Sequence, residues 1–297
     1  ADVDVSSTLS DNFKTVIARA SSTDVTITTD LTATHIEALN EMATYNSEEN
    51  VVGPITASIS AAADELYASD VSTLSTDSSD VITFTVTTAI GVSGTNALLA
   101  NTSVATMTLD EGFSDSIDSF AEYDSEGGSS SMIAAAETAI AVDADSTISI
   151  SETITSLENI YNLNALSDYE SHTGLISGAV QTNISNAAYL GTDGDQDLIT
   201  VTITGGDNSD GEGGYVFEAV LDDSHVSTLN DISDATAGSV VASISGTDFD
   251  TLDALETGST DNITISYETD ANADEANSLF EKTSDESYVS ITSITDD

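Results

Sequence analysis

One stretch of this chain is written twice. Leu31-Thr32-Ala33-Thr34-His35-Ile36-Glu37-Ala38-Leu39-Asn40-Glu41-Met42 returns as Leu221-Asp222-Asp223-Ser224-His225-Val226-Ser227-Thr228-Leu229-Asn230-Asp231-Ile232. A strand-like run follows each copy, Ile55–Ser60 after the first and Val240–Ser245 after the second. Self-similarity of this length reads as an internal repeat, which restricts the fold to architectures made by recurrence of one unit.

A second pair of segments supports the unit. Asp70-Val71-Ser72-Thr73-Leu74 leads to Asp80-Val81-Ile82-Thr83-Phe84, and Asp248-Phe249-Asp250-Thr251-Leu252 leads to Asp261-Asn262-Ile263-Thr264-Ile265. β-branched runs predict strands at Val25–Thr29, Ile55–Ser60, Val81–Thr87, Val104–Leu109, Thr147–Ser151 and Leu198–Thr204. Further ones are Tyr215–Leu221, Val240–Ser245, Ile263–Tyr267 and Tyr288–Ile294. Apolar spacing of three and four predicts helices at Thr34–Thr44, Gly112–Glu122, Thr153–Leu163, Ser224–Ala235, Asp248–Leu255 and Ala273–Glu281. Thr34 and Ser224 stand where N-cap hydroxyls belong.

The expected fold is mainly β with short helices. Its units, strand–short helix–strand, form an irregular, solenoid-like repeat architecture, and β-sandwich domains are the alternative. Ser130–Ala144 and Ser171–Gly191 fit the unit poorly. The turn Glu126-Gly127-Gly128-Ser129-Ser130-Ser131 reads as a domain boundary or a hairpin tip. As a boundary it separates residues 1–128, a β-rich half with an extended N-terminal segment, from 129–297, a β-rich half with a C-terminal strand. As a hairpin tip it leaves one continuous domain.

Charge decides which partners are possible. Fifty-three acids face Lys14, Arg19 and Lys282, for a formal net charge of −50 in 297 residues. Like charges about 4 Å apart repel by roughly 1 kcal/mol even in bulk water. A compact body of this kind needs high ionic strength or bound cations. Nucleic acid and anionic membrane surfaces are excluded as partners, because the chain lacks the cations that neutralise phosphates. Cysteine is absent. The chain begins at Ala1 without a basic leader or a long apolar run, as expected of a processed, exported chain or of a fragment. An extracellular or cell-surface location is the expectation.

Carboxylates at turns are the candidate metal ligands. Asp193, Asp195 and Asp197 stand two apart, so their side chains can converge on one ion. Asp207, Asp210 and Glu212 lie in a glycine-rich loop. Asp270, Asn272, Asp274 and Glu281 have the ligand spacing of a helix–loop–helix calcium site, with Glu275 where that loop needs glycine. Asp143/Asp145 and Asp248/Asp250/Asp253 are further clusters. Hard oxygen ligands favour Ca2+ over transition metals, so calcium is the expected cofactor.

His35 and His225 share one repeat position, which favours a structural role over catalysis. Trp is absent, aromatics make up 5% of the chain, and cations to stabilise developing negative charge are nearly absent. The expectation is a chain that is not an enzyme. Asn101, Asn183 and Asn262 head N-glycosylation sequons.

Both ends carry strand-like sequence. Val3 and Val5 lie in an extended N-terminal segment, and Tyr288, Val289, Ile291 and Ile294 form a strong strand near the other terminus. Free strands associate unless covered, and head-to-tail strand addition between copies yields fibres or lattices. The unit Gly246-Thr247-Asp248-Phe249-Asp250-Thr251-Leu252-Asp253-Ala254-Leu255, followed by a strand, resembles repeats of very large secreted bacterial surface proteins. Such proteins, of marine and cyanobacterial type, serve as adhesins, surface layers or matrix. The resemblance covers about half of the chain. Two functions follow as expectations. One is a non-enzymatic subunit of an extracellular filament, sheath or surface layer that partners with itself, with Ca2+ or salt offsetting its charge. The other is a Ca2+-dependent adhesin module that binds a glycan.

Overall fold

The computed structural model describes residues 23–27, 31–37, 39–40, 52–68, 80–100, 106–193, 196–209, 215–218, 221–257 and 260–295. The chain divides into two compact units, one from 1–115 and 134–147, the other from 116–133 and 148–297. The sequence-based division at 128/129 falls inside a hairpin of the second unit, at the tip of its turn.

The first unit holds a parallel four-stranded sheet in the order β1 (Thr23–Thr26), β2 (Val52–Ala61), β3 (Val81–Val86), β4 (Thr106–Leu109). Helix α1 (Ala63–Ala68) follows β2, α2 (Val92–Ala100) follows β3, and the short strand β5 (Phe113–Asp115) follows β4. Helix α3 (Ala134–Ile140) completes the unit. Its core is built on alternate strand positions: Ile55, Ala57 and Ile59 on β2 and Ile82, Phe84 and Val86 on β3 are buried.

The second unit opens with the antiparallel hairpin β6 (Ala121–Asp124) and β7 (Ser129–Met132). Its main sheet is parallel and begins with β8 (Ile148–Ile154), which leads through α4 (Leu157–Ser167) to β9 (Ile176–Thr182). Helix α5 (Ile184–Ala187) leads to β10 (Leu198–Ile203). A second antiparallel pair, β11 (Gly206–Ser209) and β12 (Tyr215–Glu218), and the short β13 (Leu221–Asp222) come next. Helix α6 (Val226–Asp234) leads to β14 (Val240–Gly246) and α7 (Phe249–Asp253) to β15 (Asn262–Ala271). Helix α8 (Ala273–Phe280) leads to β16 (Val289–Ile294). Neighbours run β8–β9–β10–β14–β15–β16, with β13 beside β14.

Parallel strands joined by helices make this a mixed α/β fold, which corrects the expectation of a mainly β chain and disfavours a sandwich. The expected helix at Gly112–Glu122 is also corrected. Phe113, Ile117 and Phe120 are buried at helical spacing, but they arise from β5 and a single 3-10 turn at Ile117–Ser119. Gly112 explains the difference: it has φ +67°, and a Cβ there would lie 2.0 Å from the Thr147 carbonyl oxygen. Beyond that left-handed residue the backbone is engaged in pairing, with the Phe113 N–H on the Thr147 carbonyl at 2.8 Å and the Ser114 N–H on that of Ile90 at 3.0 Å, so no helix begins there.

The described residues of the duplicated stretch fold alike in both places. Leu31 bridges Ile59 on β2, and Leu221 bridges Ile244 on β14, each in parallel sense. Ile36 and Leu39 in the first copy, and Val226 and Leu229 in the second, are buried. The caps lie upstream of the expected Thr34 and Ser224, at Thr32 and Asp222. The histidines close those caps. His35 Nδ1 accepts the Thr32 N–H at 3.1 Å, and His225 Nδ1 lies 2.8 Å from Asp222 Oδ1.

Candidate functional site

Buried carboxylates do structural work in both sheets. Asp80 accepts the Ile55 N–H at 2.7 Å, Asp197 that of Ile176 at 3.2 Å, and Asp261 that of Val240 at 2.7 Å. In each case an aspartate just before one strand holds a backbone N–H of the strand before it, at Ile55 within β2 and at the first residues of β9 and β14. The second oxygen is also used in two of them: Ser167 donates to Asp197 at 2.5 Å and Ser233 donates to Asp261 at 2.9 Å. Between β10 and β14 a threonine takes the part, with Thr236 Oγ1 accepting the Ile199 N–H at 3.0 Å.

These bonds place the expected metal ligands. Asp197 is buried and bonded through both oxygens, whereas Asp193 is exposed and bonds through its N–H to Ser167 Oγ. Asp195, Asp210 and Glu212 lie outside the described residues. Asp207 pairs with Phe217 in the β11–β12 ladder. Asp270 accepts a hydroxyl from Ser293 at the end of β15. Asn272 is the N-cap of α8, with Oδ1 accepting the N–H groups of Asp274 and Glu275, and Glu281 follows the last turn of that helix. This segment is strand, cap and helix, where a helix–loop–helix calcium site needs helices on both sides of its loop. Among the described residues, no three or more His, Asp or Glu side chains converge as metal ligands.

The sequon residues have structural partners as well. Asn183 caps α5 by accepting the Asn186 N–H at 2.8 Å, and Asn262 accepts the Ser284 hydroxyl at 2.6 Å. Asn101, Val3 and Val5 are outside the described residues. Tyr288, Val289, Ile291 and Ile294 lie on and beside β16, which pairs with β15 along one edge.

The feature that the sequence hides is a row of three tyrosines in the second unit. Tyr123 on β6 and Tyr161 on α4 stack with centroids 5.6 Å apart and planes 7° from parallel. Tyr161 and Tyr189 meet edge to face at 5.7 Å. Tyr123 and Tyr161 are half-buried, and Tyr189 is 53% exposed. Crowding by its neighbours raises the Tyr161 phenol above its usual pKa, first by desolvation and then by the charge of Tyr189 and Tyr123.

Two amides of α4 hold this row. Asn162 is buried; it accepts the Ser130 hydroxyl at 2.7 Å and donates to Asp118 at 3.2 Å, which ties the β6–β7 hairpin to the helix. Asn164 donates to the Tyr189 carbonyl at 2.7 Å and accepts the Gly191 N–H at 2.9 Å. Beside Tyr123 opens a cleft of about 350 Å³, lined by Asp118, Glu122, Tyr123, Glu158, Asn159 and Asn162 among others. A second cleft, about 520 Å³, lies at the C-terminal ends of β13, β14 and β15, with Asp222, Asp223 and Glu268 in its wall. Asp222 is held below the usual carboxylate range, first by the Ser224 hydroxyl and then by His225.

The sequence matches no family model, no curated protein and no solved structure. The fold and the sites therefore rest on the chain's own chemistry.

Proposed function

We propose that this chain is a non-enzymatic, self-associating subunit of an extracellular filament, sheath or surface layer. It stacks strand–helix units in solenoid fashion, and copies join head to tail through the β16 face. Calcium or salt offsets the repulsion between their acidic surfaces.

One observation carries the reading: burial along a single row of the second unit's sheet fails at its last strand. Ile244 pairs with Ile265 and Ile265 with Val289. The first two are completely buried at 0% exposure, yet Val289 is half-buried. Tyr267 pairs with Ile291 and repeats the contrast, and Ile294 is 56% exposed. Apolar side chains in that row await a covering layer.

Hydrogen bonding supports the same reading. Thr192 donates its hydroxyl to the Ala235 carbonyl, and Thr257 donates to the Lys282 carbonyl at 3.0 Å, each reaching forward to the turn before a later strand. Thr283 stands at the corresponding place before β16. It is 6% exposed, and its Oγ1 has no hydrogen-bond partner. An additional layer supplies the carbonyl that this hydroxyl lacks. The net charge of −50 makes such stacking depend on counter-ions.

Negative-stain microscopy of the purified chain tests the proposal. Ordered polymers in high salt or calcium, dispersing on dialysis to low salt with chelator, are the expected result. Single particles under every condition refute it.

A further inference from the structure

The proposed stacking through β16 makes no use of the tyrosine row or its cleft, beside which Asn162 is buried and bonded to Ser130 and Asp118. We propose that the cleft beside Tyr123 is a carbohydrate site for an uncharged pyranose of a surface glycan.

Four observations on the second unit combine. The cleft, about 350 Å³, lies in the volume range of small-ligand sites and holds a sugar ring or two. Its wall includes an aromatic ring, Tyr123, whose orientation is fixed by parallel stacking on Tyr161. Rigid aromatic surface of this kind packs against the C–H face of a pyranose with little entropy to lose on binding. Polar groups of both senses share the wall: Glu122 and Glu158 accept hydrogen bonds from hydroxyls, and Asn159 both donates and accepts. Finally, the site is preorganised, since buried Asn162 fixes Asp118 and the hairpin that carries Tyr123.

Charge narrows the ligand. Carboxylates cover this protein everywhere, so their presence in the cleft does not by itself mark a site; the aromatic wall and the buried amide do. The net charge of −50 repels uronic, sialic and sulfated sugars, which leaves uncharged glycans. Tyr123 is the residue that touches the sugar. Tyr161 positions it, and Tyr189 braces Tyr161 through the edge-to-face contact.

Calorimetry on the full chain with cellotetraose, chitotetraose, laminaritetraose and mannotetraose tests the proposal, with spermidine as a plain cation. Tyrosine emission, clean in a chain without Trp, gives a second readout. At least one tetrasaccharide binds at millimolar concentration or below. Tyr123→Ala weakens it tenfold or more, Tyr123→Phe retains most of it, and Asp222→Asn in the other cleft changes nothing. Circular dichroism and melting confirm that each variant is folded. The proposal is overturned if no tetrasaccharide binds, if binding survives Tyr123→Ala, or if spermidine reproduces the signal and 0.5 M NaCl abolishes it. Assembly and sugar binding are read separately, so failure of either leaves the other standing.

Discussion

Asp261 Oδ1 accepts the backbone N–H of Val240 at 2.7 Å, while Oδ2 of the same carboxylate takes the Ser233 hydroxyl at 2.9 Å. One side chain, 2% exposed, thus ties the start of β14 to the end of the preceding helix α6 from its place just before β15. Charged hydrogen bonds in such a setting contribute about 1.5–3 kcal/mol each, and orphaned buried donors cost as much. Asp261→Ala is expected to lower unfolding free energy by about 2–4 kcal/mol. Asp261→Asn keeps an acceptor for Val240 and loses less. Urea melts of the two variants check the order; equal and small losses contradict the clamp.

That clamp was half legible. Aspartate before a strand stands out at Asp80 and Asp261 in the sequence, but Thr236 in the equivalent role does not, because a hydroxyl replaces a carboxylate there. Most β-branched strands were readable to within a few residues. β9 was not: Gly178 and Ala179 interrupt its run, and a Cβ on Gly178 would press on Ile150 Cβ at 3.2 Å. Helix α2 escaped because Val92, Gly94 and Thr95 are weak helix formers placed by tertiary packing. The tyrosine row was hidden for a different reason. Its members come from a strand, a helix and a turn, so no linear spacing connects them. Parallel pairing was equally silent, since alternation reports a buried face and not strand direction.

Gly112 and Gly238 mark where backbone approaches backbone. Gly112 has φ +67° and a Cβ on it would lie 2.0 Å from the Thr147 carbonyl oxygen, and a Cβ on Gly238 would meet the Ile199 carbonyl oxygen at 2.3 Å. Neither neighbour is a flexible tip that can swing aside. Alanine at either place is expected to cost about 2 kcal/mol or more. Gly128, with φ +67° and open space around it, serves as the control. Gly128→Ala is strained by conformation alone and loses about 1 kcal/mol.

Asp143 sets a pH dependence with a definite sign. Desolvation raises its pKa, opposed by the Leu109 N–H bond at 2.8 Å and assisted by Asp145 and Asp110. Between the ordinary value of 3.8 and the raised folded one, the folded chain binds more protons than the unfolded chain. Its contribution to stability therefore falls as pH rises through that window and is greatest below it. Asp143→Asn keeps an acceptor for Leu109 and removes the charge. The variant is expected to gain at most about 1 kcal/mol at neutral pH, given partial solvent screening, and nothing below the window. Thermal melts at pH 3 and pH 7 read the difference.

Salt acts on the whole surface. Raising NaCl from 0.01 M to 1 M shortens the Debye length from about 30 Å to about 3 Å. The melting temperature is expected to climb steadily over that range, by several degrees or more. If CaCl2 at matched ionic strength does no more, screening alone accounts for the effect. An additional rise, reversed by chelator, assigns the remainder to bound calcium.

Sedimentation velocity is the most direct test of head-to-tail stacking. In high salt the account predicts a concentration-dependent series of species beyond the monomer. Ile291→Asp on the half-buried face of β16 should reduce it to a single folded monomer, while Leu198→Asp, on a residue 45% exposed elsewhere in the sheet, should leave it intact. A monomer for the unaltered chain at every concentration, or polymers that persist in Ile291→Asp, would contradict it.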